Sequence, residues 1–245
     1  MGIRESVALA RGVLRFLRGK EATPEVVLCV PFTSLSEVRK VLARSRVMLG
    51  AQSCGTERSG AFTGEISVSQ LEDVACSYVI VGHSERRHIF MESDEIVRKK
   101  YAMAMESKLT PILCVGEPSE EREAGRAQTY VQGQIASALD GIHVHSGKNL
   151  IIAYEPVWAI GSGSPATVKD VVEMHAFIRE EAACHVNINP EKIVVLYGGS
   201  VNDENAYQFL REEGVDGFLV GGASLKLQAF SGILASAIDV IVAQQ

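Results

Sequence analysis

Short, almost wholly apolar runs rich in β-branched residues recur along this chain, separated by longer segments whose apolar positions return every three or four residues. The runs cover residues 26–30, 47–51, 78–82, 112–116, 150–154, 193–197 and 217–221. Half-exposed strands alternate apolar and polar residues; these do not, so the pattern predicts parallel strands covered on both faces. The segments at 4–18, 35–43, 68–76, 92–107, 120–139, 167–184, 203–213 and 227–243 read as helices. Ser34, Thr167 and Asn202 stand where N-caps are needed, and Gly19 and Gly214 follow helix ends, where a left-handed residue closes the last turn.

Repeated strand–helix units predict an α/β fold, either an open doubly wound sheet or a closed (β/α)8 barrel. Acidic and glycine-rich residues directly after several strands favour the barrel, whose site lies at one end. The count is uneven: eight helical segments accompany seven strands, and the first helix has no strand before it. The barrel is therefore expected to lack its first β-strand. No Pro/Ser-rich linker or shift in composition divides residues 1–245, which are expected to form a single domain.

Composition narrows the function. Lys and Arg number 24 against 30 for Asp and Glu, a net charge of −6, which argues against a nucleic-acid binder that must neutralise phosphates with clustered cations. No apolar run is long enough for a membrane span and the N-terminus carries no apolar export core, so no membrane association and a cytoplasmic location are expected. Five widely spaced cysteines without a Cys-x-x-Cys fit reduced thiols there. Met1-Gly2-Ile3-Arg4-Glu5-Ser6 fits an acylation pattern too short to outweigh this reading.

Four strand ends carry residues a core would not choose. Glu155 follows a buried run directly, where a carboxylate can abstract a proton. The adjoining segment from Pro156 through Trp158 to Gly161 has stiff ends and a small-residue exit, as a closing loop requires. His83 precedes Ser84, read here as a helix N-cap, whose positive end would keep the imidazole neutral and able to donate a hydrogen bond. Arg87 reads as part of a salt-bridged surface turn. Gly198-Gly199-Ser200 and Gly221-Gly222-Ala223-Ser224 close the last two strands, and such turns bring backbone N–H groups close to an anion, suiting a phosphate.

Other patterns are set aside. Gly161-Ser162-Gly163-Ser164-Pro165-Ala166 fits a dinucleotide fingerprint but is separated from its strand by the loop, so no NAD site is expected. His143 and His145 lack further ligands, and no metal is expected. Cys114, Met103 and Met105 read as core filling.

Five ordered motifs resemble the triosephosphate isomerases: Gly60-Ala61-Phe62-Thr63-Gly64-Glu65-Ile66-Ser67, Val81-Gly82-His83-Ser84-Glu85-Arg86-Arg87, Ala153-Tyr154-Glu155-Pro156-Val157-Trp158-Ala159-Ile160-Gly161, Tyr197-Gly198-Gly199-Ser200-Val201 and Asp216-Gly217-Phe218-Leu219-Val220-Gly221-Gly222-Ala223-Ser224-Leu225. The resemblance runs from the first helix almost to Gln245 and implies a TIM (β/α)8 barrel that interconverts dihydroxyacetone phosphate and glyceraldehyde 3-phosphate without a cofactor. The general scheme of that family, a Glu base, a neutral His electrophile and a closing loop, falls on Glu155, His83 and residues 157–162. It further implies Glu85 and Ser84 as supporting residues, Gly161, Ser200, Gly221 and Gly222 as phosphate contacts, and a homodimer formed through the loop around Thr63.

The sequence departs from the family at its start. Family members open with a strand ending in Asn-x-Lys, whose lysine meets the substrate's negative charge; here Met1-Gly2-Ile3 leads straight into the first helix. Loss of one preorganised cation is expected to remove about 3 kcal/mol of transition-state stabilisation, roughly a hundredfold or more in rate. The second reading is therefore a truncated relic, weakly active or only binding phosphorylated ligands or partners. Ser53 and Ser162 stand where the family favours Asn and Thr.

Overall fold

The computed structural model describes residues 1–144, 149–160 and 166–244. Seven parallel strands appear in sequence order in one curled sheet: β1 (Val27–Val30), β2 (Met48–Ala51), β3 (Tyr78–Val81), β4 (Thr110–Val115), β5 (Leu150–Tyr154), β6 (Ile193–Tyr197) and β7 (Gly217–Phe218). Each strand pairs in parallel with the next, from Val27 beside Met48 to Tyr197 beside Phe218. Helices α1 (Ile3–Leu17), α2 (Leu35–Leu42), α3 (Val68–Asp73), α4 (Ser84–His88) and α5 (Asp94–Met105) cover its first half. They are followed by α6 (Ser119–Glu123), α7 (Ala127–Leu139), α8 (Val168–Val186), α9 (Ala206–Leu210) and α10 (Leu227–Ala243). These strands follow the barrel architecture, and among the described residues none stands ahead of α1, as the element count anticipates.

Two apolar layers explain why the runs do not alternate. Val79, Val81, Leu113, Val115, Ile152 and Tyr154 join the helices in one buried cluster reaching from Ala10 to Leu234. Their neighbours Tyr78, Ile80, Ile112, Cys114, Ile151 and Ala153 form a second cluster on the concave side. Both faces of the central strands are thus dry, and each carries aliphatic side chains. Burial fades towards the sheet edges: the concave-side residues Val27, Cys29, Met48, Val194 and Leu196 are only partly buried. β1 and β7 each have a neighbour on one side only, which leaves those concave residues without a cover.

The local signals held unevenly. Thr167 caps α8 in a reciprocal box with Asp170, and Gly19 adopts φ of 75° directly after the C-cap of α1; Gly214, at φ 90°, instead lies in the turn beyond Arg211, the C-cap of the shorter α9. Ser34 makes no side-chain cap to α2, and its hydroxyl is buried without a partner. Asn202 caps a turn rather than a helix, its Oδ1 accepting from the N–H groups of Glu204 and Asn205, so α9 begins only at Ala206. The helix expected over 120–139 breaks at Gly125 (φ 71°) into α6 and α7. The helix expected over 92–107 starts later, at Asp94, where Ser93 Oγ accepts from Ile96 N–H. The strand expected over 217–221 ends at Phe218, because its outer side has no ladder partner.

His175, on α8, is fully buried beside the Tyr154 ring and pairs through Nδ1 with the Gly214 carbonyl at 3.1 Å, leaving Nε2 without a partner. Burial pushes its pKa down from 6.5 to about 4. The unfolded chain therefore takes up this proton before the native state does, and stability is complete above pH 6.5 and lost as the pH falls towards 4. The loss reaches about 3 kcal/mol at the bottom of that window. Urea titrations across it are expected to show this slope in the wild type and a flatter one in His175→Asn.

Candidate active site

All seven strands point the same way, so the residues that follow them gather at one rim. Glu155 leaves β5 with its N–H bonded to the Val115 carbonyl (2.8 Å), which extends the β4–β5 ladder by one residue. The side chain is 2% exposed as part of its residue. Its Oε2 accepts from the Ser84 N–H at 2.8 Å, and its Oε1 lies 2.9 Å from His83 Nε2. Two glycines make room for it. A Cβ on Gly116 would lie 1.7 Å from the Glu155 carbonyl oxygen, and one on Gly198 would lie 2.8 Å from the Glu155 Cγ. A side chain at Gly116 displaces the backbone of Glu155, and one at Gly198 displaces its side chain.

His83 reaches this point because Gly82 turns sharply (φ 74°) at the end of β3. The expected cap is displaced by one residue: His83 itself caps α4, its Nδ1 accepting the Glu85 N–H at 3.3 Å, and Ser84 is the first helical residue. With Nδ1 accepting, the network places the remaining ring proton on Nε2, where it is donated to Glu155. Burial opposes a charged ring, but the hydrogen bond and charge of Glu155 outweigh it and hold the His83 pKa above its ordinary value. The upward direction corrects the expectation from the helix terminus alone, since a carboxylate at bonding distance acts more strongly than the end of a five-residue helix.

The family model for triosephosphate isomerase matches residues 3–237. The chain belongs to this family. It is 49% identical over 234 residues to the triosephosphate isomerase of Aquifex aeolicus (strain VF5), covering 96% of this chain and 94% of that relative. It is 50% identical over 212 residues to the one from Alkaliphilus metalliredigens (strain QYMF), covering 86% and 85%. The crystal structure of triosephosphate isomerase from Bartonella henselae superposes with a TM-score of 0.84 at 37% identity, covering 96% of this chain and 94% of that one.

The remaining candidate residues of this isomerase-family chain are placed less centrally. Glu85 is exposed and its carboxylate stands 4.0 Å from His83 Nδ1, so its backbone N–H is its closer link to the ring. Ser200 follows β6, its hydroxyl donating to the Ala159 carbonyl at 3.3 Å and its own carbonyl accepting from Asn205 Nδ2. Gly221 and Gly222 lie exposed at the same rim after β7, and Ser224 folds back onto the Gly221 carbonyl through both its N–H and its hydroxyl. Gly161 and Ser162 lie outside the described residues, as does His145.

Arg87 is not a surface residue of a turn. Its guanidinium reaches the carbonyls of Gly82 and Cys114 and pairs with Asp94 at 2.5 Å, fastening the end of β3 to β4 beneath the site. Cys114 is buried as expected, and the Glu155 carboxylate adds to the burial that drives its thiol pKa well upward. Among the described residues no group of three or more His, Cys, Asp or Glu is arranged to hold a metal ion.

One residue escaped the sequence reading. Glu117, with no exposed surface, accepts from Tyr154 Oη (3.0 Å) and from Trp158 Nε1 (2.8 Å) with the same oxygen. Arg122 lies 4.1 Å over the Trp158 ring, pairs with Asp170 at 2.7 Å and stands 3.6 Å from Glu117. This assembly holds the start of the loop after Glu155, where Val157–Ala159 form a single 3₁₀ turn. The sequence did hold a signal: Glu117-Pro118 and Glu155-Pro156 are both acid–proline pairs near the ends of buried runs. Glu117→Leu strands two buried donors and is expected to cost about 2–4 kcal/mol in denaturant unfolding. Trp158 is the only tryptophan, so its emission is expected to shift to the red in this variant, while Glu117→Gln retains an acceptor and moves it less.

Proposed function

We propose that this chain interconverts dihydroxyacetone phosphate and D-glyceraldehyde 3-phosphate, with Glu155 moving a proton between adjacent carbons and His83 serving the two oxygens of the enediol(ate). The observation that carries this reading is the shared 2.9 Å contact of the two side chains at the rim, delivered by strands two places apart in the sheet. Glu155 is already held against Ser84 N–H and His83, so a substrate that takes up those donors frees the carboxylate to act as a base. The ring proton on Nε2 is then available to a substrate oxygen, where it stabilises developing negative charge. The loop beginning at Val157 excludes water from the intermediate when it closes.

Gly221 and Gly222, which have open space around them after β7, and Ser200 at the same rim suit the phosphate, and the family resemblance adds Gly161 to them. A relic that only bound ligands would not need a buried carboxylate aimed at an imidazole, and the isomerases at 49% and 50% identity favour the enzyme. The reduced thiols and the absence, among the described residues, of any helix able to cross a membrane accord with work in the cytoplasm.

Two copies are proposed to pair through the loop around Thr63. Phe62 is 50% exposed, and Ile89, Phe90 and Met91 form a consecutive apolar run that is 69%, 64% and 74% exposed. Burial of that much apolar surface favours association.

Purified chain is expected to equilibrate the two triose phosphates in a coupled assay, with Glu155→Gln lowering kcat roughly 10³-fold or more. Turnover no greater than in that variant would defeat the proposal. Sedimentation is expected to give a dimer for the wild type and a monomer for Thr63→Arg, which sets a charge next to the exposed Phe62.

A further inference from the structure

A recess of about 520 Å³ lies between α1 and α2, built from those two helices and the residue that follows α1, and from none of the strand ends that form the candidate site. Val7, Leu14 and Val41 line its floor and are partly buried. Arg11, Arg15 and Arg18 stand along one wall, exposed, at positions i, i+4 and i+7 of α1 and just beyond its end. Seven residues of helix carry this row of guanidinium groups over about 10 Å. Lys40 and Glu37 complete the lining and neutralise one another at 2.5 Å. The three arginines have no ion-pair partner among the described residues, in a chain whose net charge is −6.

We propose that this groove docks an acidic amphipathic helix of a partner protein. Each part of the recess matches one part of such a helix. Val7 and Leu14 repeat at two helical turns, the spacing at which a partner's own i and i+7 apolar anchors would meet them. The arginine row runs parallel to that floor, where carboxylates flanking the anchors would be met in bidentate pairs. A small polyanion would engage the row and leave the apolar floor uncovered. A bilayer surface would meet the row but not the recessed floor, because the apolar stripe of α1 through Ala10 and Val13 is already turned into the core. The remainder of this acidic chain repels an acidic partner, so its charge confines docking to this groove.

The test uses the full chain and a fluorescein-labelled helical peptide of about 16 residues, with Leu at i, i+3 and i+7 and Glu beside them. A scrambled peptide of the same composition has no apolar stripe. The proposal expects saturable anisotropy binding of the striped peptide, about tenfold weaker or worse for the scrambled one and for Arg11→Glu/Arg18→Glu, with isomerase activity of that variant unchanged. Leu14→Gln probes the floor, and the scrambled peptide gives the same information should that variant unfold. The proposal is overturned by no binding, by equal binding of both peptides, by tripolyphosphate displacing the striped peptide as well as unlabelled peptide does, or by anionic vesicles binding the chain through these arginines while the peptide does not.

Discussion

A parallel strand buried on both faces has nowhere to carry polarity except at its ends. The rest of this molecule follows from that constraint. Because β3, β4 and β5 are dry on the helix side and on the concave side, His83, Glu117 and Glu155 occur just beyond their last residues. Because every strand runs in the same direction, those residues come to one rim. The hydrophobic layers thus select both the fold and the location of its chemistry.

At the rim, the carboxylate of Glu155 is held by two donors at its two oxygens. Ser84 N–H and the His83 ring fix its two oxygens, and Gly116 and Gly198 remove the side chains that would push it aside. Arg87 secures the same corner from below through the backbone carbonyls of two strands. A second buried acid, Glu117, organises the loop that follows, gathering Tyr154, Trp158 and Arg122 about itself. The two acids divide the labour: Glu155 meets His83 and Ser84 at the rim, and Glu117 holds the start of the segment that follows it.

Much of this was legible from residue order. The seven strands fall within a residue or two of the apolar runs, except at β7, and Thr167 and Gly19 do what their chemistry suggests. The errors share a cause. Ser34, Ser84 and Asn202 are all good capping residues, yet a cap depends on where the preceding chain enters the helix, and that direction is set by packing. At Ser84 the turn at Gly82 brings His83 into the capping position, freeing the Ser84 N–H for Glu155, 71 residues away. Arg87 read as a surface charge because nothing local shows that Cys114's carbonyl lies above it.

By itself the sequence determined the alternation of buried strand and amphipathic helix, and which strand ends carry an acid, an imidazole or paired glycines. These are properties of nearest neighbours and of period, which short-range sterics and hydrophobicity dictate. Only the tertiary structure decided which nitrogen of His83 meets Glu155, that Glu117 grips the tryptophan, and that three arginines of α1 line a groove with an apolar floor. Each of these depends on residues far apart in the chain or on opposing helices, and a hydrogen bond or a recess exists only once packing has fixed both sides of it.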